Sequence, residues 1–441
     1  MGALSARGLA TGLAILLSAP LSAASPAAAA DPTWSPPVRL GRDGPPDTLR
    51  VVTDAAGNDT AAWVVWGTRD SDEWSQVVVS RRPAGGSWSA PRPLGRHGNE
   101  QELDLAVTPS GQVTALWIDD HLDSFTGQTE EYAVVSATFD GTTWTAPTDL
   151  WRGKSGVDAL RLSVSDSGRA VATWVRALPT RPWSVAAMTA VRSADDTWLA
   201  PHRLDDGTSR FAVPYGAGID DSGIATVVWT DEEATRVTRG DGTTWTTPRW
   251  LAARFQEGLD LVVNGDGTAG AAFTTPFSHQ IKARFMDAAG GWGPAEIIDG
   301  RKPTFDAPVP DLTRAPGGDW AVVWARGCRD LRIRERLAGT WQTPVVLATP
   351  SCAFEPELVY RNDGDAVLVW NQDMPVNHSA NQIRSLTRTA GVWSAEPTAL
   401  SGRRVWLTDL QAAASSDGHL VTVWSRPARD SDVRAAIGTW D

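Results

Sequence analysis

Residues 113–150 read VTALWIDDHLDSFTGQTEEYAVVSATFDGTTWTAPTDL. The stretch holds an apolar segment with Trp117, a polar loop, a second apolar segment from Tyr132 to Phe139, a DG turn and a Trp-x-x-Pro segment. The same pieces return eight times along the 441 residues. The first mark of the repeat is a turn glycine followed six residues later by a large aromatic. The pairs are Gly57/Trp63, Gly111/Trp117, Gly168/Trp174, Gly223/Trp229, Gly267/Phe273, Gly318/Trp324, Gly364/Trp370 and Gly418/Trp424. Glycine admits the positive φ of a tight turn between two short strands. After it, small or apolar residues alternate with the aromatic on one face of a strand.

The second mark is Trp followed by Pro: Trp34/Pro37, Trp88/Pro91, Trp144/Pro147, Trp198/Pro201, Trp245/Pro248 and Trp341/Pro344, with Trp292/Pro294 one residue shorter and Trp393/Pro397 one longer. Proline cannot donate to a sheet ladder, so these segments predict outer edge strands. The order of strands in one unit is then a (before the glycine), b (ending in the aromatic), c and d (Trp-Pro), with a innermost. The a–b and c–d turns are short; the b–c loops and d–a connections are long and varied. Eight four-stranded antiparallel units of about 50 residues predict an all-β fold, a single eight-bladed propeller. Residues 33–40 (TWSPPVRL) form a lone d strand, and the C-terminal VRAAIGTWD lacks one. The N-terminal strand is expected to complete the last blade near Val433 to Ile437.

Residues 1–30 read as a secretory signal peptide, with Arg7, an apolar run through Leu21 and an Ala-rich end. Residues 31–441 read as one propeller domain, exported and without a membrane span. The net charge of −12 argues against a nucleic-acid partner. No partner subunit is implied, and the protein is expected to be a monomer. Cys328 and Cys352 fall in loops predicted on the same face, so a disulfide is expected in an oxidising compartment. Of 23 Trp, sixteen belong to the two repeat marks. The others are Trp66, Trp74, Trp151, Trp183, Trp250, Trp320 and Trp406.

Motifs for hydrolase, metalloprotease or nucleotide chemistry are missing, and no cofactor or metal is expected. The six His are scattered, and the NGDGT around Asp266 reads as a turn rather than a calcium loop. Near the starts of seven a strands stand Asp47, Glu102, Asp158, Glu257, Asp311, Glu357 and Asp409; the remaining blade offers Tyr215. Such carboxylates would meet at one channel mouth, where they could hold a cation or sugar hydroxyls; a hydrated rim is the plainer reading. Aromatics outside the repeat marks gather on the long-loop face: Trp151, Trp250, Trp406, Phe255, Phe305 and Phe354 in d–a connections, and Trp74, Phe125, Trp183 and Phe277 in or beside b–c loops. Trp183 follows Pro179 and Pro182 and stands near Arg176 and Arg181, an arrangement suited to stacking on a ring and bonding its hydroxyls or carboxylates.

The alternation of D-x-x-G-x-x-x-A-x-W with G-x-W-x-x-P-x-x-L resembles exported Trp-repeat propellers of actinobacteria, grouped loosely with the sialidase-like (BNR/Asp-box) propellers. The Asp-box S-x-D-x-G-x-x-W is not met: Asp140 to Trp144 and Asp241 to Trp245 lack the residue between Asp and Gly. Sialidases have six blades, an arginine triad and a Tyr–Glu pair; here the repeats number eight and only Tyr215 with Arg210 offers a start for such a site. The expected function is therefore a secreted, non-enzymatic binding propeller for glycan or cell-surface ligands. Its alternatives are a sialidase-like glycoside hydrolase and a structural envelope protein. The expected ligand-binding residues are Trp183, Arg176, Arg181, Trp151, Trp406, Tyr215, Glu102, Asp158 and Glu257.

Overall fold

A computed structural model describes residues 32–42, 48–69, 72–95, 102–122, 129–179, 184–193, 195–300, 308–326, 328–349, 352–373, 380–402, 407–426 and 432–440. The eight repeat glycines all have φ between 78° and 98°, a region that an L side chain enters only with strain. Each turn joins an inner strand a to a strand b of the same antiparallel sheet. The inner strands are Arg50–Thr53, Leu103–Val107, Val157–Val164, Val213–Ile219, Glu257–Val263, Asp311–Arg314, Cys352–Tyr360 and Thr408–Ala414. Each is packed against the next, and the last against the first, so the eight sheets close into a ring. The fold is an eight-bladed propeller, as the repeats predict. Among the described residues the one helical turn is a 3-10 turn, Pro316–Gly318.

Closure follows the predicted route. Val38 pairs with Ala435 and Arg39 with Arg434, while Thr33 pairs with Thr439 and Trp34 with Gly438. The N-terminal segment thus supplies the outer strand of blade 8. It does so in two pieces, Thr33–Trp34 and Val38–Arg42, with the prolines between them. Blades 6 and 7 break their outer strands at the same place. In blades 2 to 5 the Trp makes only an isolated bridge to strand c. The missing proline N–H and the fixed φ explain the break.

The core lies between blades. Strand b is buried on both faces, because a propeller blade has a neighbour on each side. Its Trp shares an apolar cluster with the Leu or Ile that ends the preceding blade's outer strand. Leu40 joins Trp63, Leu94 joins Trp117, Leu150 joins Trp174, Leu204 joins Trp229 and Leu400 joins Trp424. The P-x-x-L ending of the repeat is thus the partner of the next blade's Trp. Trp320, outside both repeat marks, opens strand b of blade 6 and is also buried. Cys328 and Cys352 form the expected disulfide, tying the b–c loop of blade 6 to the inner strand of blade 7.

Candidate binding site

One position of each inner strand lies opposite the residue that precedes the repeat aromatic. Around the ring these are Arg50, Asp104, Arg161, Gly216, Asp260, Asp311, Glu357 and Gln411. Their carboxylates grip the neighbouring blade rather than forming a hydrated rim. Asp104 accepts the Leu162 amide at 2.8 Å, Asp260 that of Leu312 at 2.8 Å and Asp311 that of Leu358 at 3.0 Å. Glu357 accepts from the Gln411 side chain at 3.4 Å. Burial pushes Asp260 and Glu357 up, and lifts Asp311 to about 8 with repulsion from Asp260 adding to it.

One level nearer the long-loop face, two predicted site residues meet. Ala159 N donates to Glu102 Oε1 at 3.0 Å and to Asp158 Oδ1 at 2.7 Å, so both carboxyls share one amide. Leu160 N donates to Glu102 Oε2 at 2.6 Å. Ala159 has φ 57°, held in a bulge of the inner strand. Burial and a hydrogen bond donated to Asp158 lift Glu102 to about 7, while accepting that bond lowers Asp158. The pair holds one proton between two acids.

The other predicted residues are dispersed. Tyr215 is the bulged residue between Pro214 and Gly216 of blade 4's inner strand. Glu257 opens blade 5's inner strand opposite Thr274. Trp151 is half-buried in the outer strand of blade 2, against the cluster holding Leu150 and Trp174. Arg176 pairs with Val157 in blade 3. Trp183, Arg181, Trp406 and Asp47 lie outside the described residues.

A cavity of about 410 Å³ opens on the long-loop side between blades 4 and 5. Blade 4 contributes Leu251 to Arg254, its d–a connection adds Gln256, and blade 5 contributes Phe273, Thr275 to Phe277 and Lys282. Blade 5 alone carries Phe rather than Trp at the end of strand b, a smaller ring set against Leu251. Loop 275–280 is tied down: Thr275 N donates to Gln280 O at 2.9 Å, and His279 N to Thr275 O at 3.0 Å. At its tip Phe277 is 76% exposed, with φ 63°. Arg254 has φ 68° and lies over the Phe277 ring at 5.9 Å. Two non-glycine residues in the left-handed region thus meet at one cavity.

Gln256 forms part of the wall. It is 2% exposed, and its Nε2 donates to the carbonyls of Ala253, Arg254 and Phe255 at 2.9, 3.2 and 3.0 Å. A flipped amide would set its oxygen against three carbonyls, so the orientation is fixed. Its Oε1 accepts no hydrogen bond from the described residues. Phe255 and Trp250, both on the predicted aromatic face, are 42% and 60% exposed next to this wall in sequence. Sequence reasoning named these aromatics and missed Gln256, Lys282 and the meaning of Phe273. The available signal was the single Phe in a column of Trp.

A second cavity, about 620 Å³, lies one blade back and includes Asp205, Asp231, Glu232, Arg210 and Arg236. Two of its acids are fully engaged, while Asp205 holds Arg203 and the Gly207 amide through Oδ1 and its Oδ2 has no partner among the described residues. Glu232 holds Ser209 and the amides of Arg210 and Phe211, and Asp231 holds Arg236 and the Glu233 and Ala234 amides.

No protein-family description matches the chain, and no curated protein matches it. Among solved structures, a fungal alcohol oxidase in complex with copper aligns over 93% of this chain and 76% of its own, at 12% identity and a TM-score of 0.48. A prolyl endopeptidase aligns over 86% of this chain at 14% identity and a TM-score of 0.47; this chain spans 55% of that one's length. The intramolecular trans-sialidase of Ruminococcus gnavus aligns over 76% of this chain and 94% of its own, at 10% identity and a TM-score of 0.40. These likenesses carry no function to this chain, and the case for one rests on the site itself.

Proposed function

We propose that the protein is an exported binding propeller that takes a glycan on its long-loop face, at the cavity between blades 4 and 5. The observation that carries this reading is Phe277: a large apolar ring held three-quarters exposed, on a backbone conformation that costs free energy, lining a cavity with Arg254 and Lys282. An aromatic face with nearby hydrogen-bond donors suits a sugar, which presents an apolar C–H face and hydroxyl acceptors. Export is supported by the signal-like residues 1–30 and by the disulfide. On the same proposal Trp183, with Arg176 and Arg181, extends the binding face over blade 3.

A hydrolase would place its two carboxyls apart, about 5–5.5 Å for retention and more for inversion. Glu102 and Asp158 are instead hydrogen-bonded to each other, a geometry that favours the binding reading. The test is a glycan array probed with residues 31–441, followed by titration of the best hit. Phe277→Ala should weaken binding by about tenfold, the loss of one stacked ring, while leaving the melting temperature unchanged. Full-strength binding by that variant would place the site elsewhere. Turnover of a fluorogenic sialoside, absent in Tyr215→Phe, would replace binding by hydrolysis.

A further inference from the structure

We infer that the cavity between blades 4 and 5 selects sugars carrying a carboxylate, of the uronic-acid class, over neutral ones. The inference rests on the glycan reading and deepens it. The chain has 52 Asp and Glu against 40 Lys and Arg, so an average patch of its surface is acidic. This cavity is the reverse: its described lining holds Arg254 and Lys282 and no carboxylate. Lys282 is one of only three lysines in the sequence. Its backbone pairs with Phe273 and Ile297, and among the described residues it forms no ion pair. An ammonium beside a half-enclosed apolar wall gains most from an anion, because the wall lowers the local dielectric and displaces screening water.

The other features suit the rest of such a sugar. Gln256, buried in the wall with its Nε2 on the carbonyls of Ala253, Arg254 and Phe255, fixes the backbone that carries Arg254. The exposed face of Phe277 offers a stacking surface to the C–H side of the ring. Arg254, over the edge of that ring, can hold a carboxylate oxygen or a second hydroxyl. The volume of about 410 Å³ sits within the range of small-molecule sites, about 300–1,000 Å³. Two cations and one aromatic face thus define a ligand with a negative charge and an apolar side.

The experiment is calorimetric titration of residues 31–441 with tri-galacturonate and with its methyl ester, which has the same rings and no charge. The acid should bind about tenfold tighter at low salt, with the difference shrinking as salt is raised. Lys282→Gln should bring the two ligands to equal affinity while retaining binding. Phe273→Trp sets the larger ring found in the other seven blades into the cavity wall, so it should weaken both ligands without lowering the melting temperature. Should Phe273→Trp fail to fold, Phe277→Ala replaces it and should weaken both ligands alike. Equal binding of acid and ester by the wild type, or a preference that survives Lys282→Gln, overturns the charge inference and leaves the glycan reading standing. Full-strength binding by folded Phe273→Trp, or by Phe277→Ala, overturns the site. Failure to bind either ligand, with a neutral glycan captured on the array, refutes the uronate class. Failure to capture any glycan removes both readings together.

Discussion

At the residue scale, Glu102 shows how a carboxyl can look functional while holding the fold together. It takes two amides from the next blade and shares a proton with Asp158. Its pKa rises from an ordinary 4.5 to about 7, so between those values the folded chain holds a proton that the unfolded chain has released. Stability from this group is complete below about pH 4.5 and lost as pH rises through 7. Asp158, shifted the other way, contributes above its unfolded pKa and loses its contribution only in more acid solution. Glu102→Gln removes the titrating group and can donate to Asp158, at the loss of one of the two backbone amide bonds that Glu102 accepts. Discounted for partial exposure, it should remove a loss on the order of 1 kcal/mol between pH 5 and 8. Melting temperatures across that range check this; parallel wild-type and variant curves would deny Glu102 the role. The pairing could not be read from the sequence, because the bulge at Ala159 shifts the register. Counting from strand starts put Glu102, Asp158, Asp311 and Glu357 on one level. The structure puts the first two a step above the others.

At the element scale, the outer strand of blade 8 is held by alternate residues. Leu40 is buried in the cluster around Trp63, whereas Val38 is 44% exposed. Leu40→Ala should cost about 2–4 kcal/mol in urea unfolding, and Val38→Ala less than about 1. Equal costs would mean that the strand is docked through its backbone alone. Strand order, blade number and closure were all readable because Gly-to-Trp spacing and Trp-x-x-Pro each have one geometric meaning. The interruption of the outer strands was not foreseen; Pro37 and its equivalents stop the ladder rather than merely marking its edge. The cavity stayed hidden for a different reason. Nothing local distinguishes Gln256 from a loop glutamine, and Phe273 obeys the alternation as well as a Trp does. Only the packing of two blades brings Phe273 and Gln256 into one cavity wall.

At the scale of the whole molecule, the channel is electrostatically lopsided. Three consecutive blades place Asp260, Asp311 and Glu357 at one level, and the Arg50 and Arg161 charges favour ionisation of Glu357 and Asp260 respectively. Asp311 is lifted from 3.8 to about 8, and its neighbours are raised with it. Across that interval the folded ring binds more protons than the unfolded chain, so stability declines as pH rises. The melting temperature should fall by several degrees from pH 5 to 8.5, and Glu357→Gln should flatten the fall. A profile that climbs steadily to pH 8.5 would show that the three acids ionise freely. Closure carries a consequence in time as well as in space. The Ile437 amide reaches Ser35 Oγ at 3.0 Å across 402 residues of chain. During synthesis the outer strand Val38–Arg42 is made long before its partner, Asp432–Thr439. Hairpins within a blade can form as they emerge, but the ring cannot lock until the eighth blade has been made. Entropy of closure grows only slowly with loop length, so the delay is a matter of order rather than of prohibitive cost. Nascent chains therefore carry an unpaired strand and one unguarded inter-blade face throughout translation, the two surfaces most exposed to mispairing with another copy.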